Sequence, residues 1–469
     1  MTAQRLLVGT PGPFRFSTAI AAIALTLAAS ACTDARSAAD ERPADAQKWF
    51  ARAQEDVQIA RIDEANDSVR KSLAIVPADL EVRVLAAHIA LARLEYAEVL
   101  RLLKDTPGAE AKGLRGRALW YKGELDGAAD ELEAMLEDPD VRDDWAKSIA
   151  KLARRGQGRT PFRISGGMIA PVELAHVNPT APYFVAPIEI DGEQALALVS
   201  TGVAEVVLDS ASRPEPSWVS IRFAERIEVQ DVPALSQDLS GISKDVGAPI
   251  KALIGVNLLR HLNVTLDYAG HQFIVRTFTP PPPPNATRVP LYYARGGGML
   301  MPTSLGAADD ARASLFVDTT RPFPIALDDK GWRKAGIGAG DLKDVPGDAT
   351  KKLKEGIVPL MKVGAFDLRK VPGLLGGPIA DVERGLAIDV DGILGTPVLA
   401  SYRITLVDGG RMMWVEDDTE VRAMIARALS AAGAQGPEDV PGPAPELGAP
   451  PPPPPAAPAP AAPVGGGRP

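Results

Sequence analysis

Cysteine is nearly absent: the chain of 469 residues has one, Cys32. That excludes an internal disulfide, a thiolate zinc site and an iron–sulfur cluster. Histidine is almost as scarce. His88, His176, His261 and His271 are scattered along the chain, so a multi-histidine metal centre has no footing, and neither a metal nor an organic cofactor is expected. There is no excess of basic charge; the formal net charge of −9 argues against a nucleic-acid partner. No uninterrupted apolar run reaches the ~18 residues of a spanning helix. Glycine and proline are plentiful instead, 43 of each, and hydrophobic residues make up 46%, enough for ordinary globular cores. The length suggests two to four domains at roughly 100–200 residues each.

Residues 1–31 carry Arg5 and Arg15, then an apolar stretch from about Ala19 to Ala29, then small residues. This is a secretory signal layout and lies outside fold reasoning. The stretch closes on Leu27-Ala28-Ala29-Ser30-Ala31-Cys32 and resembles the lipobox of bacterial lipoproteins. That resemblance implies lipidation of Cys32 and a cell-envelope location held by acyl chains. Thr33 directly after the cysteine favours the periplasmic side of the outer membrane. Residues 32–45 read as a tether.

From about residue 46 to residue 156 the apolar residues recur at helical spacing and glycine is rare. Pro77, Pro107 and Pro139 recur at 30 and 32 residues, and Ala65, Ala97 and Ala128 at 32 and 31. The expectation is an array of helix pairs. In each, a small residue in the middle of the second helix allows close crossing, and a proline ends the unit. The period, with Trp49, Ala65, Pro77 and the stretch Ser72 to Pro77, resembles the tetratricopeptide (TPR) repeat. Two roles fit: a concave face for a protein partner, or a spacer. Trp120 and Tyr121 read as core.

After Arg155 short alternating runs bounded by Gly, Pro and Asp mark strands. One pattern occurs twice. The first copy (160–279) runs from Tyr183–Ile190 through an Asp191-Gly192 turn to Val199-Ser200-Thr201-Gly202, and later to Ile254-Gly255. The second (288–418) runs from Met299–Leu305 through a turn at Asp309-Asp310 to Val317-Asp318-Thr319-Thr320, and later to Leu394-Gly395. Gly255 to Thr265 and Gly395 to Thr405 are both ten residues, and a proline-rich linker at 280–287 separates the copies. Trp332 and Trp414 read as core of the second copy, and Asp328-Asp329 as the cap of a helix starting near Lys330.

Each copy resembles a lobe of the retropepsin-like and pepsin-like aspartyl proteases. The fold implied is multidomain α + β: a TPR-like helical array, then two all-β aspartic protease-like lobes. Each lobe of that family has a hairpin, an Asp-Thr-Gly loop, a flap hairpin and a later hydrophobic-hydrophobic-Gly. The activity implied is aspartic-type endopeptidase chemistry, in which two carboxylates share a proton and activate one water. The loop threonine bonds the opposite lobe, and the loop glycine permits close approach.

Both loops depart from the pattern. Ser200 stands at one carboxylate position, leaving Asp318 as the candidate catalytic residue, and Thr320 stands at a glycine position. A β-branched residue resists positive φ if the loop needs it. Ser200, Thr201, Gly202, Thr319 and Thr320 are the candidate substrate-binding residues. Three readings stay open. The first is a pseudoprotease that binds extended peptides in the inter-lobe cleft by strand addition. The second is an active endopeptidase that pairs Asp318 with a carboxylate from elsewhere or from a second chain. The third is a structural scaffold. No Gly-x-Ser-x-Gly surrounds Ser200 and no Gly-Lys-Ser/Thr follows Gly296–Gly298, so a serine hydrolase and a phosphate loop have no support. The basic run Lys351 to Lys354 falls where the second flap is expected. A helix at 419–432 and a disordered Pro/Ala-rich tail at 433–469 close the chain.

Overall fold

A computed structural model describes residues 42–178, 181–308, 311–346, 348 and 352–417. The signal segment, Cys32, most of the tether, the Asp309-Asp310 turn, Lys351, the helix at 419–432 and the tail lie outside the described residues.

The chain begins as seven helices: α1 (Ala44–Gln58), α2 (Ile62–Ile75), α3 (Leu80–Ala92), α4 (Tyr96–Leu102), α5 (Ala109–Lys122), α6 (Leu125–Leu136) and α7 (Asp144–Arg155). Caps set several of the boundaries. The Asp79 carboxylate accepts from Val82 N at 3.1 Å and that of Asp143 from Ala146 N at 2.9 Å, and Gly123 ends α5 in the left-handed conformation at φ 80°. Pro77 and Pro139 follow α2 and α6, while Pro107 precedes α5. Ala65 and Ala128 are fully buried, but near the starts of α2 and α6 rather than at their middles. Ala97 departs further from expectation: α4 has only seven residues, and Ala97 is exposed at its second position. In the α5–α6 pair close crossing is supplied by Gly116, where an added Cβ would meet the Leu132 side chain at 2.7 Å.

The first lobe contains β1 (Arg163–Gly166), β2 (Ile169–Glu173), β3 (Val185–Ile190), β4 (Glu193–Val199), β5 (Val206–Asp209), β6 (Ser217–Phe223), β7 (Ile227–Gln237), α8 (Ser240–Val246), β8 (Ile250–Ile254), α9 (Val256–Arg260), β9 (Asn263–Asp267) and β10 (Gln272–Arg276). The second contains β11 (Thr287–Pro290), β12 (Tyr292–Ala294), β13 (Gly298–Ser304), β14 (Arg312–Val317), β15 (Ile325–Leu327), α10 (Asp329–Lys334), β16 (Lys343–Asp344), β17 (Lys354–Val363), β18 (Phe366–Leu375), α11 (Ile379–Leu386), β19 (Gly392–Leu394), α12 (Thr396–Leu399), β20 (Tyr402–Val407) and β21 (Met412–Asp417). Asp328 caps α10 by accepting from Gly331 N at 2.6 Å, as the sequence suggested.

The duplication is carried in the topology. The first lobe orders its strands β3-β4-β8-β5-β7-β6 and closes β6 onto β3; the second orders β13-β14-β19-β15-β18-β17 and closes β17 onto β13. The directions match as well. β4–β8 and β14–β19 are parallel, as are β5–β7 and β15–β18. The lobes are thus two β-rich, barrel-like copies of one unit. A third, six-stranded sheet is shared, in the order β2-β10-β9-β20-β21-β11. At its middle Thr265 pairs with Thr405, their hydroxyls 2.8 Å apart. The equal ten-residue spacings therefore converge on one local two-fold axis.

The helical region is joined to the lobes by packing. Its apolar core is continuous with Leu300, Phe316 and Ile393 of the second lobe. Ser314 Oγ donates to Ala60 O at 2.9 Å, and Asp389 N to Gln58 O at 2.7 Å. Against the first lobe, Trp218 Nε1 donates to Leu152 O at 3.0 Å. Part of the array's surface is thus spent on the chain's own lobes.

Candidate functional site

The two loops meet at the end of β4 and β14, where each strand stops on a buried valine followed by its polar triplet. Thr201 Oγ1 donates to Val317 O at 2.8 Å and accepts from Thr319 N at 3.1 Å. Thr319 Oγ1 donates to Val199 O at 2.7 Å and accepts from Thr201 N at 3.0 Å. Four buried hydrogen bonds therefore cross the axis in two symmetric pairs. Thr396, at the start of α12, supports the second loop through a 2.6 Å bond from Oγ1 to Thr319 O.

Asp318 lies at the centre, 4% exposed, and both its oxygens are occupied by its own loop. Oδ1 accepts from Thr320 N at 3.0 Å and Thr320 Oγ1 at 2.6 Å. Oδ2 accepts a charge-assisted bond from Arg321 Nε at 2.8 Å. Across the axis the Ser200 hydroxyl is fully buried and has no hydrogen-bond partner among the described residues. No second carboxylate hydrogen-bonds Asp318, and no cluster of three metal-ligating side chains occurs among the described residues.

The glycine position is governed by space, not by backbone angle. Neither Gly202 nor Thr320 has positive φ, so a β-branched residue is admitted at 320 without strain of that kind. At Gly202, however, an added Cβ would lie 2.6 Å from both Cγ and Oδ1 of Asp318. The neighbour is a buried carboxylate already tied to Arg321, so it has little room to yield. Gly202→Ala is expected to destabilise the fold by about 1–3 kcal/mol, the usual range for overpacking. Urea unfolding checks this, and a variant as stable as the parent would show that the loops can separate freely.

Two of the hairpins turn toward the shared six-stranded sheet. In the first lobe the β6–β7 tip packs against the β1–β2 junction, where Gly167 N donates to Arg226 O at 2.7 Å. In the second the β17–β18 tip packs on β11 of the shared sheet, where Ala365 N donates to Thr287 Oγ1 at 2.9 Å. Lys352 and Leu353 lie in the segment joining β16 to β17, which pair antiparallel through Lys343 with Glu355 and Asp344 with Lys354, so Lys352 to Lys354 belong to a hairpin of the second lobe. Ser200, Thr201, Asp318 and Thr319 are each at most 4% exposed, so the centre is a closed contact between lobes.

The sequence reading missed Arg321. Its signal was present, since a cation three residues after a lone buried aspartate is its natural local partner. A second polar hub, around Glu205, had no such signal. Glu205 follows the first loop and is buried. It accepts from Trp120 Nε1 at 3.1 Å and Asn257 Nδ2 at 3.0 Å, and burial pushes its carboxyl up. Its partners come from α5 and α9 and meet only in the folded chain.

No protein-family model and no curated protein matches the chain. Among solved structures it is similar to basic 7S globulin from soybean, at 9% identity over 55% of this chain and 95% of that one, with a TM-score of 0.34. It is also similar to an aspartic proteinase from Irpex lacteus, at 10% identity over 54% of this chain and 99% of that one, with a TM-score of 0.32. These likenesses are distant, and they concern the fold.

Proposed function

We propose that the chain is a cell-envelope lipoprotein, anchored through Cys32, whose pepsin-like two-lobed domain holds peptides or proteins without hydrolysing them. The TPR-like array belongs to that binding body, as a further surface for a protein partner. One observation carries the non-hydrolytic reading: Asp318 has both oxygens occupied by Thr320 and Arg321, while the facing position offers the Ser200 hydroxyl in place of a carboxylate. An aspartic dyad needs one ionised and one protonated carboxyl around a water. A single carboxylate paired with a guanidinium supplies neither the shared proton nor a free oxygen to take the water's proton.

The test is incubation of the full chain with a diverse peptide library from acid to neutral pH, beside Asp318→Asn. The expected result is no cleavage by either protein, with a subset of peptides retained by both. Cleavage by the parent that disappears in Asp318→Asn would overturn the reading in favour of an active endopeptidase. Neither cleavage nor retention would leave the scaffold reading. The anchor has its own check: palmitate label should enter the chain in a bacterial host and be absent from Cys32→Ser.

A further inference from the structure

A cavity of about 250 Å³ lies where the array meets both lobes, between α4 and α5, the end of α9 and the turn before β21. It shares Leu94 and Tyr96 with a groove of about 700 Å³ running along α4 and the end of α5. The groove has the volume usual for a ligand pocket, and domain junctions are common places for ligands.

Arg260 forms part of the cavity wall with its side chain about nine-tenths buried. Nη1 donates to Gly296 O at 2.9 Å and Nη2 to Asn257 Oδ1 at 3.2 Å. Only two of its five N–H donors are therefore used among the described residues, and it makes no ion pair there. Its guanidinium lies over the rings of Tyr121 at 4.8 Å and Tyr293 at 5.1 Å. Such contacts offset part of the cost of burying the cation, and Glu205 adds an attraction at longer range, but no anion is in direct contact with the guanidinium among the described residues. The one buried carboxyl of this hub, Glu205, is bonded to Trp120 and Asn257 rather than to the guanidinium; burial pushes it up while the charge of Arg260 pulls it back. In the same wall, the hydroxyls of Tyr96 and Tyr121 make no hydrogen bond among the described residues. A buried cation, spare N–H donors and two free phenols in one cavity describe a receptor for an anion.

We infer that this cavity binds the carboxylate of a peptide or small organic acid, with Arg260 as its anchor and the groove along α4 and α5 receiving the rest of the molecule. A single carboxylate fits better than a phosphate. One buried guanidinium matches one negative charge, and the approach adds no net cation: Glu98 is paired with Arg101 and Asp408 with Arg411, while Glu95 stands beside Arg70 and Lys122 in the groove. The site is remote in kind from the Asp318 centre, and it stands whether or not that centre hydrolyses peptides.

Calorimetric titration of the full chain tests it with four probes: acetate, N-acetyl tripeptides of mixed sequence with a free C-terminus, the same peptides as C-terminal amides, and amides containing one aspartate. Free acids are expected to bind. Amides without an acidic side chain are not. Binding by the aspartate amides would identify a side-chain carboxylate as sufficient, and their failure would restrict the site to chain termini or free acids. Arg260→Lys should weaken binding about tenfold or more, because the planar donor set is lost. Tyr96→Phe should weaken it several-fold at an unchanged unfolding temperature, which keeps the test available if the Arg260 variant does not fold. Asp318→Asn should change nothing. Equal binding of acids and amides, no binding of any probe, or binding indifferent to both Tyr96→Phe and Arg260→Lys would each overturn the assignment.

Discussion

Thr319→Val is expected to lower the free energy of unfolding by about 2–5 kcal/mol. The two side chains are similar in size, so little packing is lost. What goes is a hydroxyl that donates to Val199 O and accepts from Thr201 N, both buried. Each orphaned backbone group costs about 1–3 kcal/mol. Thr201→Val should cost a similar amount, since its hydroxyl makes the mirror-image pair of bonds to Val317 O and from Thr319 N. The double variant should cost clearly less than the two losses together. Once one pair is broken the lobes are freed to part at the axis, and water can then satisfy the groups that the second substitution exposes. Urea unfolding of the four proteins forms a double-mutant cycle, in which contacting residues show couplings of about 0.5–3 kcal/mol. Strict additivity would mean that other contacts hold the two loops in register, the shared six-stranded sheet being the first candidate.

Much of this architecture is legible in the chain. The second copy of a strand, a polar triplet and a distant hydrophobic-hydrophobic-Gly is visible by eye, and the equal spacing from Gly255 to Thr265 and from Gly395 to Thr405 marks the pair that meets at the axis. The threonines of the triplets are identifiable because their role is local to a short motif. The hairpins are a different matter. Their position between triplet and later glycine is legible, but which neighbour each tip packs on depends on register, and register is fixed by pairings such as Ser304 with Lys362, between strands far apart in sequence. The same limit hides the Arg260 cavity. Its walls come from α4, α5, α9 and the β20–β21 turn, and no periodicity joins Tyr96 to Asp408. Ala97 shows the converse error. A repeat of small residues does not guarantee a repeat of helix length, and α4 is too short to bury it.

Building an aspartic dyad into the centre requires three positions, and the order in which they change should matter. Ser200→Asp alone is expected to be strongly destabilised at neutral pH. By the local two-fold axis, Thr320 stands towards residue 200 as a side chain on Gly202 would stand towards Asp318, and that distance is 2.6 Å. The serine and the threonine are therefore sterically coupled: a small side chain on the first loop leaves room for a larger one on the second. A new aspartate would also bury a second carboxylate beside the first, which raises the proton affinity of the pair. A carboxyl raised in the fold stabilises most below its unfolded value of about 4 and progressively less as pH climbs through the raised value. The Ser200→Asp defect should accordingly shrink on acidification. Adding Thr320→Gly should recover most of the steric part at every pH. Adding Arg321→Gln as well should release Oδ2 of Asp318, and only this triple variant should cleave peptides in acid, at about 10²-fold or more above the parent, the scale on which general acid–base partners act. Unfolding at pH 4 and pH 7, with hydrolysis of a quenched peptide library, reads all three steps. Failure of Thr320→Gly to rescue Ser200→Asp would sink the coupled-pair argument. A stable triple variant that stays silent would place the block in access, because Ser200, Thr201, Asp318 and Thr319 are each at most 4% exposed and the centre is closed to a substrate strand.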